Sequence, residues 1–449
     1  MKGIEKYLAM QVPAGMKIVL DLFAGPGGWD EGLRQAGYNG PLIGLENDEA
    51  ACETAIAAGH NRLCVDIAIE PTLPYVGRVD GMVLSPPCQA WSNAGKKAGE
   101  KDRAKCHELA DRMAAGDDSI DFHEWEDPRS PLVCQPVRWV RDVRPRWVAL
   151  EEVPAVASLW EHFARIFRAW GYSVWTGDLR ADAFGVPQTR TRRILIARND
   201  GVAACPPAPT HTLWPNEPED GLFGEPLHRF VTMADALGWG MTARPYLTIA
   251  AGTSAGGQDP QMLGGSGARE AVNREIRRGM WKAIRMGTQE NATKRPIDAP
   301  APTVLFGHRK NEVSWLQDAT MHAAGVTGQS RPRDPEAAPA ATITGMGNAA
   351  WKRPADEDLE PSTRRVTVAE AAVLQSFPSD YPWQGSQTKQ YEQVGNAIPP
   401  RLAAAIVTDL FDPEPDIRFK VRLYDSEWNV LHEAVEAYPG QFNAGEVIT

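Results

Sequence analysis

The chain has 449 residues, a length that allows two or three domains of roughly 100–200 residues each. Hydrophobic residues make up 43% and charged residues 23%, as in ordinary globular proteins. No run of about 18 apolar residues is present, so we expect no membrane span, and the first residues lack a secretory signal. Six cysteines without a CxxC pair favour a reducing cytoplasm over secretion.

The net charge of −11 argues mildly against a nucleic-acid partner. Binding depends on local patches, however, and residues 269–295 hold eight basic and three acidic side chains, a local excess of five positive charges. From charge alone, a solvated helix face explains this stretch as well as a phosphate-binding surface does.

The first 200 residues alternate apolar strands with helical patterns. The predicted strands are Ile18–Phe23, Leu42–Glu46, Gly81–Leu84, Trp147–Leu150 and Arg193–Ala197, and the predicted helices are Trp29–Ala36, Asp48–Gly59, Leu132–Val143 and Ala155–Trp170. This alternation predicts a parallel sheet covered by helices on both faces.

The composition changes near residue 200, where the chain becomes rich in Pro, Gly, Thr and Ala. Three similar segments, 243–252, 299–308 and 338–347, each place a Pro before an apolar strand that ends in Gly, which predicts a β-rich second domain. Helices return at Val368–Phe377 and Arg401–Leu410. We therefore predict an α/β domain over 1–199 and 363–411, an inserted domain over 200–362, and a tail over 412–449 with strand-like sequence but no assigned role.

The segment Asp21–Gly28 (DLFAGPGG) runs from a strand through a glycine turn into a helix. Open α/β sheets bind nucleotide-like ligands at such turns. The third glycine of GxGxxG is missing, which argues against a dinucleotide. Glu46 and Asp66 end the next two strands and could bind ribose hydroxyls and an adenine amino group, as S-adenosylmethionine requires. Turn glycines and acids at helix N-termini are the alternative interpretation.

Three further segments also carry polar groups at strand ends. Cys88 follows two prolines in SPPCQAWS and precedes a polar loop, so it is a candidate nucleophile, although a single Cys is more often a small core residue. Glu151 ends another strand, where an exposed acid is the alternative. Gln188, Arg190 and Arg192 alternate on an extended chain and could form one polar row or a solvated strand edge.

These segments, together with RRVTVAEAAVLQSFP and QVGNAIPP, occur in an order that resembles the DNA cytosine-5 methyltransferases. The resemblance covers most of residues 18–411 outside the variable domain. It implies a class I S-adenosylmethionine-dependent methyltransferase (Rossmann-like) α/β domain with a β-rich target recognition domain inserted. It also implies methylation of cytosine C5 in a specific double-stranded DNA sequence.

The resemblance further assigns roles to individual residues. Cys88 would add to C6 of a flipped-out cytosine, and Glu151 would protonate or hydrogen-bond N3 of the base. Arg192 would hold O2 of the base, with Arg190 and Gln188 beside it. Phe23 would pack on adenine and Asn396 would lie near the amino-acid end of the cofactor. The full cofactor set expected is Asp21, Phe23, Ala24, Gly25, Gly27, Gly28, Glu46, Asn47, Asp66, Pro87 and Asn396. DNA contacts are expected at Gln89, Ser92, Arg269, Arg274, Arg277, Arg278, Lys282 and Arg285.

Two departures from the family pattern stand out. Glu152 replaces the Asn that usually follows the catalytic glutamate, so the orienting group has changed. The stretch between Cys88 and Glu151 is long, and we expect an insertion at about 96–130 within the mobile catalytic loop. Its Cys106, His107 and His123, with Cys134, fit no standard zinc spacing, so no metal is expected.

Three alternatives remain open at this point: a tRNA cytosine-5 methyltransferase, a catalytically silent DNA-binding protein, and a nicotinamide oxidoreductase. The large insertion favours DNA over tRNA. An intact Cys88 and Glu151 favour an enzyme, and the missing third glycine disfavours the oxidoreductase. We expect a monomer in the cytoplasm, encoded by a bacterium or phage, with any cognate restriction endonuclease a separate protein.

Overall fold

The computed structural model describes residues 16–87, 89–91, 98–212, 227–237, 281–285, 294–296, 301–302, 313–317, 364–365, 367–411, 421–424 and 430–434. Contacts divide the chain into two compact units. The first comprises residues 1–180, 191–208 and 380–449, and the second comprises 181–190 and 209–379. The predicted segments 243–252 and 338–347 lie outside the described residues.

The described strands, numbered in chain order, are β1 (Ile18–Leu22), β2 (Leu42–Glu46), β3 (Arg62–Cys64), β4 (Val79–Leu84), β5 (Trp147–Glu152), β6 (Ser173–Arg180), β7 (Gln188–Thr189), β8 (Thr191–Arg198), β9 (His211–Thr212), β10 (His228–Arg229), β11 (Trp281–Arg285), β12 (Lys294–Pro296), β13 (Ala301–Pro302), β14 (Val313–Gln317), β15 (Arg364–Arg365), β16 (Val421–Tyr424) and β17 (Val430–Ala434).

The described α-helices are α1 (Gly28–Gln35), α2 (Glu49–Ala57), α3 (Ala98–Ala114), α4 (Gln135–Val143), α5 (Ala157–Ala169), α6 (Met233–Leu237), α7 (Val368–Leu374), α8 (Gln387–Asn396) and α9 (Pro400–Val407). Short 3₁₀ turns occur at Leu73–Tyr75, Phe122–Glu124, Ser130–Cys134, Pro154–Val156 and Ala181–Phe184. Among the described helices, none is long and apolar enough to cross a membrane.

The first unit is built on a sheet with the described strand order β17-β16-β3-β2-β1-β4-β5-β8-β6. Strands β16, β3, β2, β1, β4 and β5 are mutually parallel, whereas β8 pairs antiparallel with β5 and β6. Every residue of β1 is buried, as expected for a central strand covered on both faces. The predicted parallel α/β architecture is therefore confirmed, and the five predicted strands are all present.

Helix α3 corrects the expectation of a mobile loop over 96–130. Residues 98–114 are helical, and Cys106, Leu109, Ala110 and Met113 are fully buried in the main core. Their spacing of three, four and seven places them on one face of the helix. The predicted insertion is thus a packed element over this range.

The C-terminal tail contributes the edge of the sheet. Strand β16 pairs in parallel with β3, with Leu423 opposite Arg62 and Tyr424 opposite Leu63. Strand β17 then pairs antiparallel with β16. The strand-like sequence noted after residue 412 therefore covers an edge of β3 that would otherwise present unpaired backbone groups.

The second unit is described in separate pieces. A four-stranded antiparallel sheet has the order β12-β11-β14-β15, and two short parallel pairs join β9 to β10 and β7 to β13. Strand β13 lies within the predicted strand segment 299–308. The described β-structure agrees with the β-rich composition, while the exact domain boundaries stay a prediction.

Helices α1 and α9 pack closely because Gly32 lacks a side chain. A Cβ at this position would lie 2.4 Å from Ala403 Cβ and 2.9 Å from the backbone nitrogen of Ala404. In an open helix, Gly→Ala stabilises by roughly 0.5–1 kcal/mol. At Gly32 we expect the clash to dominate, so that Gly32→Ala lowers the free energy of unfolding by about 1–3 kcal/mol.

Urea denaturation of the Gly32→Ala variant measures this balance. The exposed Gln35 on the same helix offers the control, because Gln35→Ala should change stability by no more than about 0.5 kcal/mol. A Gly32→Ala variant more stable than the wild type would contradict the packing of α1 against α9.

Candidate active site

The parallel strands place their carboxyl ends, and the polar groups that follow them, at one edge of the sheet. The loop after β1 contains Phe23 to Gly28, Glu46 ends β2, Ser85 follows β4, and Glu151 lies near the end of β5. Because ligands of open α/β sheets bind outside these ends, the predicted cofactor and catalytic groups share the expected location.

The loop between β1 and α1 has an unusual backbone. Phe23 has φ of 60°, a left-handed value that costs a non-glycine residue energy, and Gly25 and Gly27 have φ of 53° and 112°. A Cβ on Gly27 would lie 2.8 Å from both His60 and Tyr381, and one on Gly28 would lie 2.5 Å from the Ile398 carbonyl oxygen. Gly27 and Gly28 are therefore required by close packing, and Gly25 and Gly27 by their backbone conformation.

Glu46 is fixed against this loop by backbone amides. Its Oε2 accepts a hydrogen bond from Gly25 N at 2.9 Å, and its Oε1 accepts from Asn47 N and Asp48 N, each at 2.8 Å. The side chain is only partly buried, so the remaining lone pairs can accept from a ligand. Asp66 is exposed beyond β3, with Oδ1 accepting from Ala68 N at 2.9 Å.

Asn396 presents a polar atom that the described protein does not satisfy. It is the last residue of α8, and its buried Oδ1 has no hydrogen-bond partner among the described residues. The next turn brings Ile398 against Gly28 at the start of α1. Because buried polar atoms are normally paired, this oxygen fits a donor group on a bound ligand.

A buried ion pair, which was not predicted from the sequence, lies beneath the loop. Arg62 is fully buried, and its Nη1 and Nη2 donate to Asp30 Oδ1 at 2.9 Å and Oδ2 at 2.8 Å. Its Nε and Nη2 also point to the Gly25 carbonyl oxygen at 3.4 Å. Arg62 thus holds the backbone oxygen of Gly25, and Glu46 holds its backbone nitrogen. The two charged partners are 32 residues apart in the chain and belong to no recognised motif.

Asp21 also lies beneath the loop, fully buried beside this ion pair. Burial raises the pKa of the Asp21 carboxyl well above its usual range, and neighbouring Asp30 raises it further. Although burial also raises the pKa of Asp30, the charges of Arg62 and His60 outweigh that effect and hold it well below its usual range. The predicted contact of Asp21 with the cofactor stays a prediction.

Glu151 is held on both carboxylate oxygens. It is only 4% exposed, Arg192 Nε lies 2.7 Å from its Oε1, and Ser85 Oγ donates to its Oε2 at 2.9 Å. The register of β5 against β8 brings Arg192 to this position. Glu152, which replaces the usual Asn, is also buried, and its Oε2 accepts from the backbone nitrogen of Val153.

Gln188 and Arg190 belong to the second unit, whereas Arg192 belongs to the first. Gln188 and Arg190 are buried, and Gln188 Nε2 donates to Leu374 O at 3.3 Å. Arg190 lies between β7 and β8, so the chain is not one continuous strand here. All three side chains are buried, which argues against a solvated strand edge, while the polar row and the catalytic roles stay predictions.

Several predicted site residues lie outside the described part of the chain: Cys88, Ser92, Arg269, Arg274, Arg277 and Arg278. Pro87 and Gln89, on either side of Cys88, are partly exposed. Lys282 and Arg285 lie on β11. Cys106 and Cys134 are buried and donate to backbone oxygens, and the described residues contain no group of three or more candidate metal ligands.

We expect Asp30→Asn to destabilise the protein, because it leaves the buried Arg62 charge uncompensated. Breaking one partner of such a buried pair costs about 3–5 kcal/mol. The control is Asp80→Asn, which breaks a partly exposed bidentate pair with Arg146 (Nη2–Oδ2 2.8 Å) at the opposite edge of the sheet and should cost about 1 kcal/mol or less. Equal losses in chemical denaturation would contradict the dominant role of the Arg62 pair.

His60 predicts a dependence of stability on pH. Burial, together with the charge of Arg34, lowers the pKa of His60 in the folded protein. In the unfolded chain, His60 therefore binds a proton near pH 6.5, whereas in the folded protein it stays neutral at that pH. The free energy of unfolding consequently falls as the pH drops below that value. Between pH 7.5 and pH 5.5, we expect His60→Gln to lose less unfolding free energy than the wild type.

The exposed His123 supplies the control for this titration, because His123→Gln should retain the full pH dependence of the wild type. Unfolding free energies measured in urea at both pH values test the prediction. Identical slopes for the wild type and both variants would show that His60 does not contribute.

Comparison with known proteins identifies the family. The family model described as C-5 cytosine-specific DNA methylase matches residues 17–110 and 122–412. Type II methyltransferase M1.HphI of Haemophilus parahaemolyticus is 27% identical over 403 residues, covering 86% of this chain and 84% of that protein. Type II methyltransferase M.DdeI of Desulfomicrobium norvegicum is 26% identical over 415 residues, covering 86% and 87%. Among solved structures, S. pombe Dnmt2 methyltransferase shares 14% identity with a TM-score of 0.46, covering 87% of this chain and 97% of that one. Since the family model matches well over half of the chain, this protein belongs to the C-5 cytosine-specific DNA methylases and is a DNA (cytosine-5) methyltransferase.

Proposed function

We propose that this methyltransferase transfers the methyl group of S-adenosylmethionine to C5 of a flipped-out cytosine in a specific duplex DNA sequence, with Cys88 as the covalent nucleophile. The observation that carries the proposal is the fixed carboxylate of Glu151, held between Arg192 and Ser85. Ser85 lies three residues before Cys88 in the same strand-end segment. An acidic group and a thiol would therefore flank one position at the carboxyl edge of the sheet.

The covalent step answers a chemical difficulty, because C5 of cytosine is a poor nucleophile. The Cys88 thiolate forms an S–C6 bond, the ring π electrons shift toward N3, and N3 takes a proton from the protonated form of Glu151, which becomes the carboxylate. C5 is then an enamine carbon and bonds to the incoming methyl group. Loss of the C5 proton to water restores the C5–C6 double bond, the S–C6 bond breaks, and N3 returns its proton to Glu151.

The carboxyl-edge residues suit the methyl donor. When bound, S-adenosylmethionine supplies an electrophilic methyl group on its sulfonium centre. Glu46 would accept from the ribose hydroxyls, Asp66 would accept from the adenine amino group, and Phe23 would pack on adenine. The unsatisfied Oδ1 of Asn396 would accept from the ammonium group, which is the observation that favours this ligand.

Arg192 has two proposed tasks. Its Nε lies against Glu151 and its Nη1 donates to Thr191 O at 2.8 Å. A planar guanidinium carries five donors in a fixed fork, so the same side chain could also reach O2 of the flipped base. Arg190 and Gln188 are proposed to assist it, as the family resemblance implies.

DNA recognition is assigned to the second unit. Lys282 and Arg285 lie on β11, and the neighbouring β12 carries Lys294 and Arg295. These basic residues, with the arginines at 269–278, are proposed to contact phosphates and set the register of the protein on the duplex. Base reading in the major groove would give the sequence specificity, and Gln89 and Ser92 would approach the flipped nucleotide.

Methyl transfer to duplex DNA, measured with radiolabelled S-adenosylmethionine, tests the proposed reaction. We expect Cys88→Ala to abolish transfer, because no other thiol can form the S–C6 bond. Cys205 is an exposed free cysteine and provides the matched control, since Cys205→Ala should retain wild-type activity. Transfer by Cys88→Ala at the wild-type rate would refute the covalent mechanism.

The tRNA alternative is separated by running the same assay on tRNA in parallel. Methylation of tRNA without methylation of duplex DNA would overturn the proposed substrate. Bisulfite sequencing of DNA from cells that express the wild-type chain would then give the recognition sequence.

A further inference from the structure

We propose that Ser85 and Trp29 are positioning residues for catalysis, forming a hydrogen-bonded chain that runs from helix α1 to Glu151. The inference deepens the proposed function and rests on it, because it assigns a task in the same reaction to two residues that the proposed function does not use. All three residues belong to the first unit.

The hydrogen-bonded chain consists of two hydrogen bonds of ordinary length. Trp29 Nε1 donates to Ser85 Oγ at 3.0 Å, and Ser85 Oγ donates to Glu151 Oε2 at 2.9 Å. Trp29 is 2% exposed and Glu151 is 4% exposed, so water competes little for these groups. In such surroundings a hydrogen bond constrains its partner more strongly than it would at the surface.

The direction of the links follows from the chemistry of the donors. An indole N–H can only donate, so the Ser85 oxygen must accept from Trp29. The single hydroxyl hydrogen of Ser85 is then free to point to Glu151. Arg192 can likewise only donate, and its Nε forms an ion pair with Glu151 Oε1 at 2.7 Å, so each oxygen of Glu151 lies against a fixed partner. The carboxylate is therefore held in one orientation before any base arrives.

The Ser85 hydroxyl is not needed to anchor its own segment. The backbone nitrogen of Ser85 already donates to Leu22 O at 3.3 Å, which ties the end of β4 to β1. Among the described residues, the hydroxyl forms hydrogen bonds with Trp29 and Glu151. Its task is therefore to transmit the position of the indole to the carboxylate.

The hydrogen-bonded chain also connects the cofactor loop with Glu151. Trp29 is the second residue of α1, directly after the Gly27–Gly28 turn of the cofactor loop. A change in that turn would move the indole, and through Ser85 it would move Glu151. The orientation of the catalytic acid is thus tied to the conformation of the loop proposed to hold the methyl donor.

Single-turnover kinetics with saturating S-adenosylmethionine and duplex DNA test the proposal. We expect Ser85→Ala to slow methyl transfer by about 10-fold to 10²-fold, as a small misplacement of a catalytic group does. Dissociation constants for cofactor and DNA should stay within about 2-fold of the wild type, because no binding group is removed. Ser85→Thr, which keeps the hydroxyl, should recover most of the rate and the wild-type pH–rate profile.

Trp29→Phe provides the second arm. Because Trp29 acts through Ser85, its substitution should slow transfer in the wild type but add nothing in the Ser85→Ala background. Trp139→Phe removes a buried indole from α4 and serves as the control for loss of the same group, with the transfer rate expected to be unchanged. Thermal unfolding of each variant separates a lower rate from a smaller folded fraction.

The outcomes are distinct. A Ser85→Ala rate within about 2-fold of the wild type, or additive losses in the Ser85→Ala, Trp29→Phe double variant, would overturn the inference. A lower rate explained wholly by lost folding or weaker binding would overturn it as well. A wild-type chain that binds S-adenosylmethionine but methylates no cytosine would instead refute the proposed function on which the inference depends.

Discussion

Parallel pairing among β3, β2, β1, β4 and β5 is the constraint from which the rest of the site follows. Parallel strands end at the same edge of a sheet, so residues far apart in the chain meet there. The cofactor loop, Glu46, Ser85 and Glu151 are brought together in this way. The apolar runs that form these strands are buried on both faces, and the polar residues lie at the strand ends.

Carboxylates at that edge are costly to bury, and each is stabilised by several donors. Glu46 accepts hydrogen bonds from three backbone amides, and Asp30 accepts from two nitrogens of Arg62. Glu151 accepts from Ser85 and forms an ion pair with Arg192. A carboxylate fixed at both oxygens cannot turn when a substrate arrives. Because catalysis favours groups that need no reorganisation during the reaction, this rigidity suits methyl transfer.

The sequence allowed the strands and the polar residues at their ends to be predicted, because apolar periodicity and Gly-rich turns are local features. Contacts between distant residues could not be predicted in the same way. The pairing of Glu151 with Arg192 depends on the register of β5 against β8, and Arg62 with Asp30 depends on how α1 crosses the sheet. Neither contact can be predicted from residues that are neighbours in the sequence.

Helix α3 illustrates the opposite error. Its sequence is rich in the helix formers Ala, Glu, Lys and Arg, and its buried face contains Cys106, Leu109, Ala110 and Met113 at helical spacing. These local features indicate a helix, which the comparison with a family loop obscured. The C-terminal hairpin is similar, since its strands acquire a role only through the free edge of β3.

The most direct test of the central claim is to trap the covalent step at Cys88. In duplex DNA that carries 5-fluorocytosine, the S–C6 adduct forms and C5 is methylated, but fluorine cannot leave C5 as a proton does. The elimination therefore stops. With S-adenosylmethionine present, the account predicts a protein–DNA complex that survives denaturation, with the cross-link mapped by mass spectrometry to Cys88. Methylation of ordinary cytosine without any trapped complex, or a cross-link at another residue, would contradict it.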